Sequence, residues 1–334
     1  MEREAIARVQ GRLLAWFGLH RRDLPWRQDR SPYAVLVAEV MSLQTRAETI
    51  GPALARFLRR FPDLRSLAAA QEQDVLAAWQ GLGYYGRARN LWRAARALPD
   101  GEVPSDARVL RGLPGVGPYV AGAVASFAFG RDVAAFDANA ARVLARLCDL
   151  EAVDAGLAQD FVPAGRAAEW NEAVMDLGAL VCVPRRPRCG LCPLADLCGG
   201  RRAGRAERLP LRPVARPRVE VEVTTLAVRD GAGRFGFVQR PPAGLLAGLW
   251  EFPSLEVDAT ASAVAQRHGL SLRGQVWPLP PFRHTFTHRL WRVRPYAATG
   301  SGPLRWVRAG ELPQVPLAGP SARLAAGPLP EPAN

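Results

Sequence analysis

A mainly α-helical N-terminal portion followed by a smaller α+β domain is the fold class that the sequence predicts, on three observations. Through residues 1 to about 198, apolar residues recur every three to four positions, the spacing of helices with one buried face. From residue 219 onward the pattern turns to the alternation of strands. Between the two, residues 199–218 hold seven Arg, one Glu and three Pro, the composition of an interdomain linker. The expected boundaries are therefore 1–198, 199–218 and 219–334, and 334 residues suit two domains better than one.

In chain order, Glu4 to Phe17 reads as the first helix. Ser31-Pro32 opens the next, with Ser as cap and Pro at the first helical position, and it runs to Leu43. Thr49 to Arg60 and Tyr84 to Ala97 follow. The stretch Gly112 to Gly130 is uncharged and reaches membrane length, but Pro114, Pro118 and several glycines fit a buried turn and a helix over Val120 to Phe129 better than a span. Ala138 to Leu147 and a helix ending at Met175 to Val181 complete the helical part. Beyond the linker, Val221 to Val228, Phe235 to Arg240 and Thr285 to Val293 read as strands and Ala259 to His268 as a helix. The Pro-rich tail after Leu312 is expected to be at most partly ordered, and no internal repeat is visible.

Charge narrows the partner. The 44 basic residues exceed the 31 acidic ones by 13, which favours a polyanion. The excess is densest in the linker, where seven Arg face one Glu; a solubilising tether and a phosphate-contacting arm both fit. All the basic residues are Arg, so any mechanism needing a lysine, including a lysine Schiff base, is excluded. Met1-Glu2-Arg3-Glu4 is a charged start and not a signal peptide, so a cytoplasmic protein without a membrane anchor is expected.

Three constellations carry chemistry. Cys182, Cys189, Cys192 and Cys198 crowd into one loop that also holds Arg185, Arg186 and Arg188. Four thiolates at such spacing suit a structural zinc ion or an iron–sulfur cluster, and periodicity does not separate the two. Cys148 lies outside the pattern and reads as a buried helix residue. Leu113-Pro114-Gly115-Val116-Gly117 precedes an apolar helix, and a glycine turn leading into a helix N-terminus can hold a phosphate through backbone N–H groups. Twenty residues beyond Gly117, Asp137 stands at the start of a helix, where a cap and a catalytic carboxylate are both open readings. Finally, Glu39 is the only charge in a helix that is apolar nearly all round. Burial should raise its pKa, which suits a general acid, while pairing with one of the many arginines is the bland alternative.

These motifs together resemble the MutY-type glycosylases of the helix-hairpin-helix, endonuclease III superfamily, from about Leu24 to Trp306. The spacing of the four cysteines is similar to that superfamily's [4Fe–4S] loop. Glu39-Val40-Met41-Ser42-Leu43-Gln44-Thr45 resembles the signature Glu-Val-Met-Leu-Gln-Gln-Thr, departing at Ser42 and Leu43. Leu24-Pro25-Trp26-Arg27 with Arg22 ahead of it, Gly81-Leu82-Gly83-Tyr84-Tyr85 and Asn171-Glu172 resemble further family segments. So do 244–253 and Phe282 to His288, which are similar to a Nudix-like domain that lacks the hydrolase box.

The resemblance implies a mainly α helix-hairpin-helix DNA glycosylase domain with an iron–sulfur cluster loop, plus a C-terminal α+β Nudix-like domain. It implies a [4Fe–4S] cluster on Cys182, Cys189, Cys192 and Cys198. The implied partner is double-stranded DNA with adenine opposite 8-oxoguanine or G, bound by a monomer that associates with the nucleoid if the source is bacterial. The implied roles are Glu39 as the acid on adenine N7 and Asp137 as support for the positive sugar, with Tyr119 and Asn139 orienting Asp137 or a water. Arg22, Trp26, Arg27 and Glu172 would line the base pocket. Gln44 and Thr45, Tyr84, the hairpin residues Leu113, Gly115, Val116 and Gly117, and the lesion-sensing Phe286, Thr287 and His288 would contact DNA. Where bifunctional relatives carry the Schiff-base lysine, this chain has Tyr119, which implies base removal without strand cleavage. A related glycosylase for another mismatched base and a non-catalytic iron–sulfur DNA-binding protein are the alternatives.

Overall fold

A computed structural model describes residues 2–211 and 217–330; Met1, the linker residues 212–216 and the tail residues 331–334 lie outside the described residues. The helices are α1 Arg3–His20, α2 Pro32–Ser42, α3 Ala47–Arg60, α4 Leu64–Ala69, α5 Glu72–Ala78, α6 Gly86–Arg96 and α7 Ala107–Arg111, then α8 Pro118–Phe129, α9 Ala138–Cys148, α10 Ala155–Asp160, α11 Ala167–Leu180 and α12 Gly199–Arg202. Strands β1 Val219–Arg229, β2 Phe235–Gln239, β3 Trp250–Glu251 and β4 Ser254–Leu255 precede α13 Ala261–Arg267. Strands β5 Ser271–Pro278, β6 Phe282–Thr285, β7 Arg289–Ser301 and β8 Arg305–Val307 precede α14 Gly319–Ala325. The chain divides into two compact units, Met1–Ala69 with Arg89–Pro213, and Ala70–Ala88 with Val214–Asn334.

The first unit is helical. One shared core joins Leu13 and Phe17 of α1, Val143 and Leu147 of α9, and Trp170, Val174 and Leu177 of α11, each recurring at helical spacing. Helices α2 and α8 are apolar nearly all round and are accordingly buried on most sides. Among the described residues no helix is long and apolar enough to cross a membrane; the uncharged stretch 112–130 is a turn followed by α8. Gly122 of α8 has no room for a side chain, because a Cβ there would collide with the Ala134 carbonyl. That close approach sets the segment leading to Asp137 against α8.

The second unit is an eight-stranded sheet in the order β3-β2-β1-β7-β5, with β4 on β1, β6 on β7 and β8 on β2. Strands β1 and β7 run parallel over Val219↔Arg289 to Arg229↔Thr299, and the other pairs are antiparallel. Phe235 and Phe237, alternating along β2, share one core with Phe252, Val315, Leu317 and Leu324, and Leu226 and Val228, alternating along β1, share another with Val264 and Ala298.

Three expectations need correction. Thr285 to Val293 is not one strand but the hairpin β6–β7, with Phe286, Thr287 and His288 at its tip, where the Phe286 N–H bonds the Arg289 carbonyl at 2.8 Å. Alternating chemistry continues through a tight turn, so pattern alone does not reveal it. Tyr84 does not start a helix: Gly81, Gly83 and Tyr84 all have positive φ, and α6 begins only at Gly86. The tail after Leu312 is ordered as far as residue 330, since Val315, Leu317 and Leu324 fill a core against the sheet. In the stretch expected as a linker, α12 packs beside α9, and the Leu211 N–H bonds the Glu151 carbonyl at 2.9 Å.

Candidate active site and cluster loop

A cavity of about 480 Å³ opens in the helical unit, within the size range of small-molecule sites. Its lining includes Glu39, Asp137, Tyr119, Asn139, Arg22, Trp26, Arg27, Glu172, Gln44 and Thr45. Ten residues singled out from the sequence, from position 22 to position 172, therefore meet in one place. The local folding that brings them there is simple. Pro32 at the first helical position starts α2, although the Ser31 hydroxyl makes no capping bond; its backbone N–H is taken by Asp29 at 2.8 Å. α2 then carries Glu39 inward on a helix whose Val37, Ala38, Val40 and Met41 are all buried.

Glu39 is 6 % exposed. Burial pushes its pKa up to about 7; Tyr119, donating its hydroxyl hydrogen at 2.5 Å, opposes that rise, Glu172 adds to it, Arg27 opposes it and Asp137 adds to it. Near neutral pH a carboxyl so placed holds a proton that it can give away. The Tyr119 hydroxyl, expected at Asp137 or a water, is bonded to Glu39 instead. Pro118 starts α8 and the Gly117 backbone is extended, so Tyr119 enters in the first turn and faces α2 rather than α9.

Asp137 is both a cap and a site residue. Its Oδ1 accepts the Ala140 N–H at 2.7 Å and its Oδ2 accepts Asn139 Nδ2 at 2.7 Å. Burial raises its pKa, and those donors, with the Arg142 charge, hold the rise back. The start of α9 adds a positive dipole end. The two carboxyls thus differ in degree: burial carries Glu39 to about 7, while donors that favour the anion hold back the rise at Asp137.

Opposite them lies a network of charges. Arg27 faces Glu172 at 3.4 Å and Arg30 faces Glu172 at 2.8 Å. Asp176, fully buried, accepts from Arg22 and Arg27. Sequence reading missed Arg30 and Asp176. The available signal was Asp176 one helical turn beyond Glu172 on the same face of α11.

The glycine turn forms as expected between α7 and α8, though only one glycine is required. Gly115 has φ +73° and a Cβ there would collide with Asn90, whereas Gly117 is extended with open space beside it. Leu113 and Val116 close the turn through a backbone bond at 3.1 Å.

Cys182, Cys189, Cys192 and Cys198 line one common cavity with Val181, Pro187, Ala195 and Arg146. Among the described residues, no three His, Cys, Asp or Glu side chains converge closely enough to hold a single metal ion. Four thiols round one cavity suit an iron–sulfur cluster, as the resemblance of the cysteine spacing implies. Two buried arginines of α9 fasten this loop, a role the sequence reading did not assign. Arg142 donates to the Cys182 carbonyl at 2.8 Å, and Arg146 donates to Val183 at 2.8 Å, Pro184 at 3.0 Å and Leu209 at 2.9 Å. Arg142 also donates to Asn139 Oδ1 at 2.9 Å, so the loop and the Asp137 cap share one side chain. Cys148 ends α9, half-buried against the same core.

The remaining candidates lie in the other unit. Tyr84, with φ +47°, is 51 % exposed, and the Arg87 guanidinium stacks 5.5 Å from its ring. Its hydroxyl is 3.4 Å from the Thr287 hydroxyl. The neighbouring segment is fastened to the sheet by Gln73, which donates to Gly248 at 3.2 Å and accepts from Trp250 at 3.1 Å, and by Tyr85, which donates to Leu317 at 3.3 Å. Phe286 packs edge-on against Trp291 and His284.

Comparison with known proteins agrees with this layout. Residues 37–158 match the HhH-GPD superfamily of base excision DNA repair proteins, 182–198 the iron–sulfur binding domain of endonuclease III, and 224–327 a NUDIX domain. A thermostable thymine-DNA glycosylase of known structure is 28 % identical, with a TM-score of 0.57 over 60 % of this chain and 98 % of that one. An endonuclease III–DNA complex is 25 % identical, with a TM-score of 0.54 over 61 % and 98 %. The adenine DNA glycosylase of Homo sapiens is 35 % identical over 91 % of this chain and 70 % of its own length. That of Mycobacterium tuberculosis is 42 % identical over 58 % and 67 %. With the buried acid, the donor-bound aspartate and the four-cysteine loop in place, the chain belongs to the adenine DNA glycosylase family, the iron–sulfur, helix-hairpin-helix DNA N-glycosylases of base excision repair.

Proposed function

We propose that the protein removes adenine lying opposite 8-oxoguanine, and with lower preference opposite G, from duplex DNA by hydrolysis, without cutting the strand. The observation that carries this reading is the cavity pairing a neutral acid, Glu39, with a donor-bound carboxylate, Asp137. Adenine turned out of the stack enters the cavity beside Trp26 and Glu172. Glu39 gives its proton to N7 of the base, and the leaving adenine departs as a neutral molecule. Asp137 supports the positive charge that grows on the sugar, as carboxylates do in glycoside hydrolysis. Water then completes an abasic site. Tyr119, bonded to Glu39, holds the acid in one rotamer, and Asn139 does the same for Asp137.

Cys182, Cys189, Cys192 and Cys198 would hold the [4Fe–4S] cluster, which when bound supplies a staple for the loop. No residue in the chain is a lysine, so the strand-cleaving route through a lysine imine has no nucleophile. Tyr84, Gln44 and the hairpin tip Phe286-Thr287-His288 are assigned to wedging the duplex and sensing the opposite base, acting as a monomer. The positive φ of Gln44 and Tyr84 supports that assignment, since strained turns recur at functional sites. The 199–218 stretch is assigned to joining the catalytic and Nudix-like domains.

Single-turnover excision on duplexes with A opposite 8-oxoguanine, A opposite G and T opposite G tests the reading. Adenine release fastest opposite 8-oxoguanine, with strand breaks only after alkali, is expected. Thymine release, or strand breaks without alkali, would overturn it.

A further inference from the structure

Asp176 sits on α11 and is fully buried. It does not line the base cavity. Its Oδ1 accepts Arg22 Nε at 2.7 Å and Arg27 Nη2 at 2.9 Å. Its Oδ2 accepts Arg27 Nη1 at 2.8 Å and the Arg22 backbone N–H at 3.0 Å. Two guanidiniums that do line the cavity are thus gripped from behind by one carboxylate, Arg27 through both ends of its fork.

We propose that Asp176 is a positioning residue of the base site: it fixes Arg22 and Arg27 in the cavity wall and sets the charge balance that keeps Glu39 in its acid form. The balance can be read from the side chains. Arg22, Arg27 and Arg30 line the cavity, and two carboxylates answer them by ion pairs: Glu172 in the lining and Asp176 behind it. Asp137 is answered separately, by its backbone and Asn139 donors and the Arg142 charge. Glu39 is faced by Tyr119 from α8, Glu172 from α11, Asp137 from the start of α9 and Arg27 from the turn Pro25–Arg27. α3 contributes Ala47 and Ile50 to the lining, neither of them charged. If Asp176 loses its charge, the positive surplus falls on Arg27, and the nearest group able to answer it by ionising is Glu39. The donors keep Asp176 itself an anion: burial would raise its pKa, but the Arg27 and Arg22 bonds bring it below the usual range.

The geometry stands apart from the proposed function, and only the catalytic consequence rests on it. The test is therefore read twice, by carbon NMR titration of the Glu39 carboxyl in glutamate-labelled protein and by the pH profile of adenine release. The Glu39 signal is identified by its loss in Glu39→Gln. In Asp176→Asn the Glu39 midpoint should fall by about one pH unit. The loss of adenine release on the alkaline side should move down with it. In Asp176→Asn with Arg27→Gln, which removes both charges, the midpoint should return to the parent value. An unmoved midpoint in the single variant, or a double variant that keeps the shifted midpoint, would overturn the inference. If the single variant does not fold, the double variant decides: a parental midpoint supports the inference and a shifted one overturns it. A parent protein that releases no adenine would remove the proposed function, and the titration would still judge Asp176.

Discussion

Glu39 and Tyr84 are both singled out by short motifs, yet one is 6 % exposed inside a helical unit and the other 51 % exposed on a strained turn of the sheet unit. Around Glu39, burial is the largest influence on protonation, so small changes of nearby charge move it strongly. Around Tyr84 and the β6–β7 tip, the groups are an aromatic face, a hydroxyl pair at 3.4 Å and backbone bent to positive φ at Tyr84. Acid chemistry gains from burial, because desolvation helps a carboxyl keep its proton near neutral pH. Contact with a polymer needs exposed groups held in fixed directions, and turns do that without enclosing them. The difference teaches that substitutions in the first region should alter rate and pH dependence, and in the second affinity and discrimination.

The largest expected effect is on chemistry. Glu39→Gln should cut single-turnover adenine release by about 10²–10⁴-fold while leaving binding of the mismatched duplex within about threefold. Retained release would break the distinction between the two regions. The same variant makes a stability prediction. Folding raises the Glu39 pKa from 4.5 to about 7, so its contribution to stability is full below pH 4.5 and is lost as pH rises through about 7. Glu39→Gln should therefore raise the melting temperature at pH 8, by an amount worth about 3 kcal/mol, and change it little at pH 4.5. Calorimetry at the two pH values checks it.

Next in size, Tyr119→Phe removes a bond that holds the Glu39 pKa down. The pH at which adenine release fades should therefore move upward, by about one unit. A downward move would mean that Tyr119 acts on another group. In the exposed region, Tyr84→Ala should weaken binding of the mismatched duplex by about 1–3 kcal/mol, the worth of one stacked base, measured by titration at fixed salt. The pH profile of excision should stay in place, and a shifted profile would blur the comparison. The smallest effect belongs to Thr287→Val, which deletes a hydroxyl near Tyr84. A fall of about threefold in the preference for adenine opposite 8-oxoguanine over adenine opposite G is expected, with equal rates at saturating protein.

How much of this was legible beforehand differs by region for the same physical reason. Glu39 could be found because a lone charge in an apolar helix is a local anomaly, and Asp137 because a cap has a local signature. The four cysteines declare themselves by spacing. Asp176, Arg142 and Arg146 did not declare themselves. Each is a charged residue whose burial depends on partners far along the chain: Asp176 on Arg22, Arg146 on Leu209. The hairpin at 286–288 and the ordered tail at 315–324 were misread for a related reason. A turn without glycine or proline leaves alternation unbroken, and a Pro-rich segment is ordered only when a sheet offers it a hydrophobic face.

By itself, then, the sequence determined the helical and sheet portions, the spacing of the four cysteines, the absence of a lysine nucleophile, and the placing of one charge, Glu39, in an apolar helix and of Asp137 at a helix start. These are properties of composition and short-range spacing, which the chain carries folded or not. The tertiary structure alone decided that burial raises the Glu39 pKa to about 7, that the Tyr119 hydroxyl is bonded to Glu39, and that Asp176 grips Arg22 and Arg27 from behind the cavity. Those are properties of desolvation and of distances between residues up to 154 positions apart, and they exist only once α2, α8, α9 and α11 have closed around one volume.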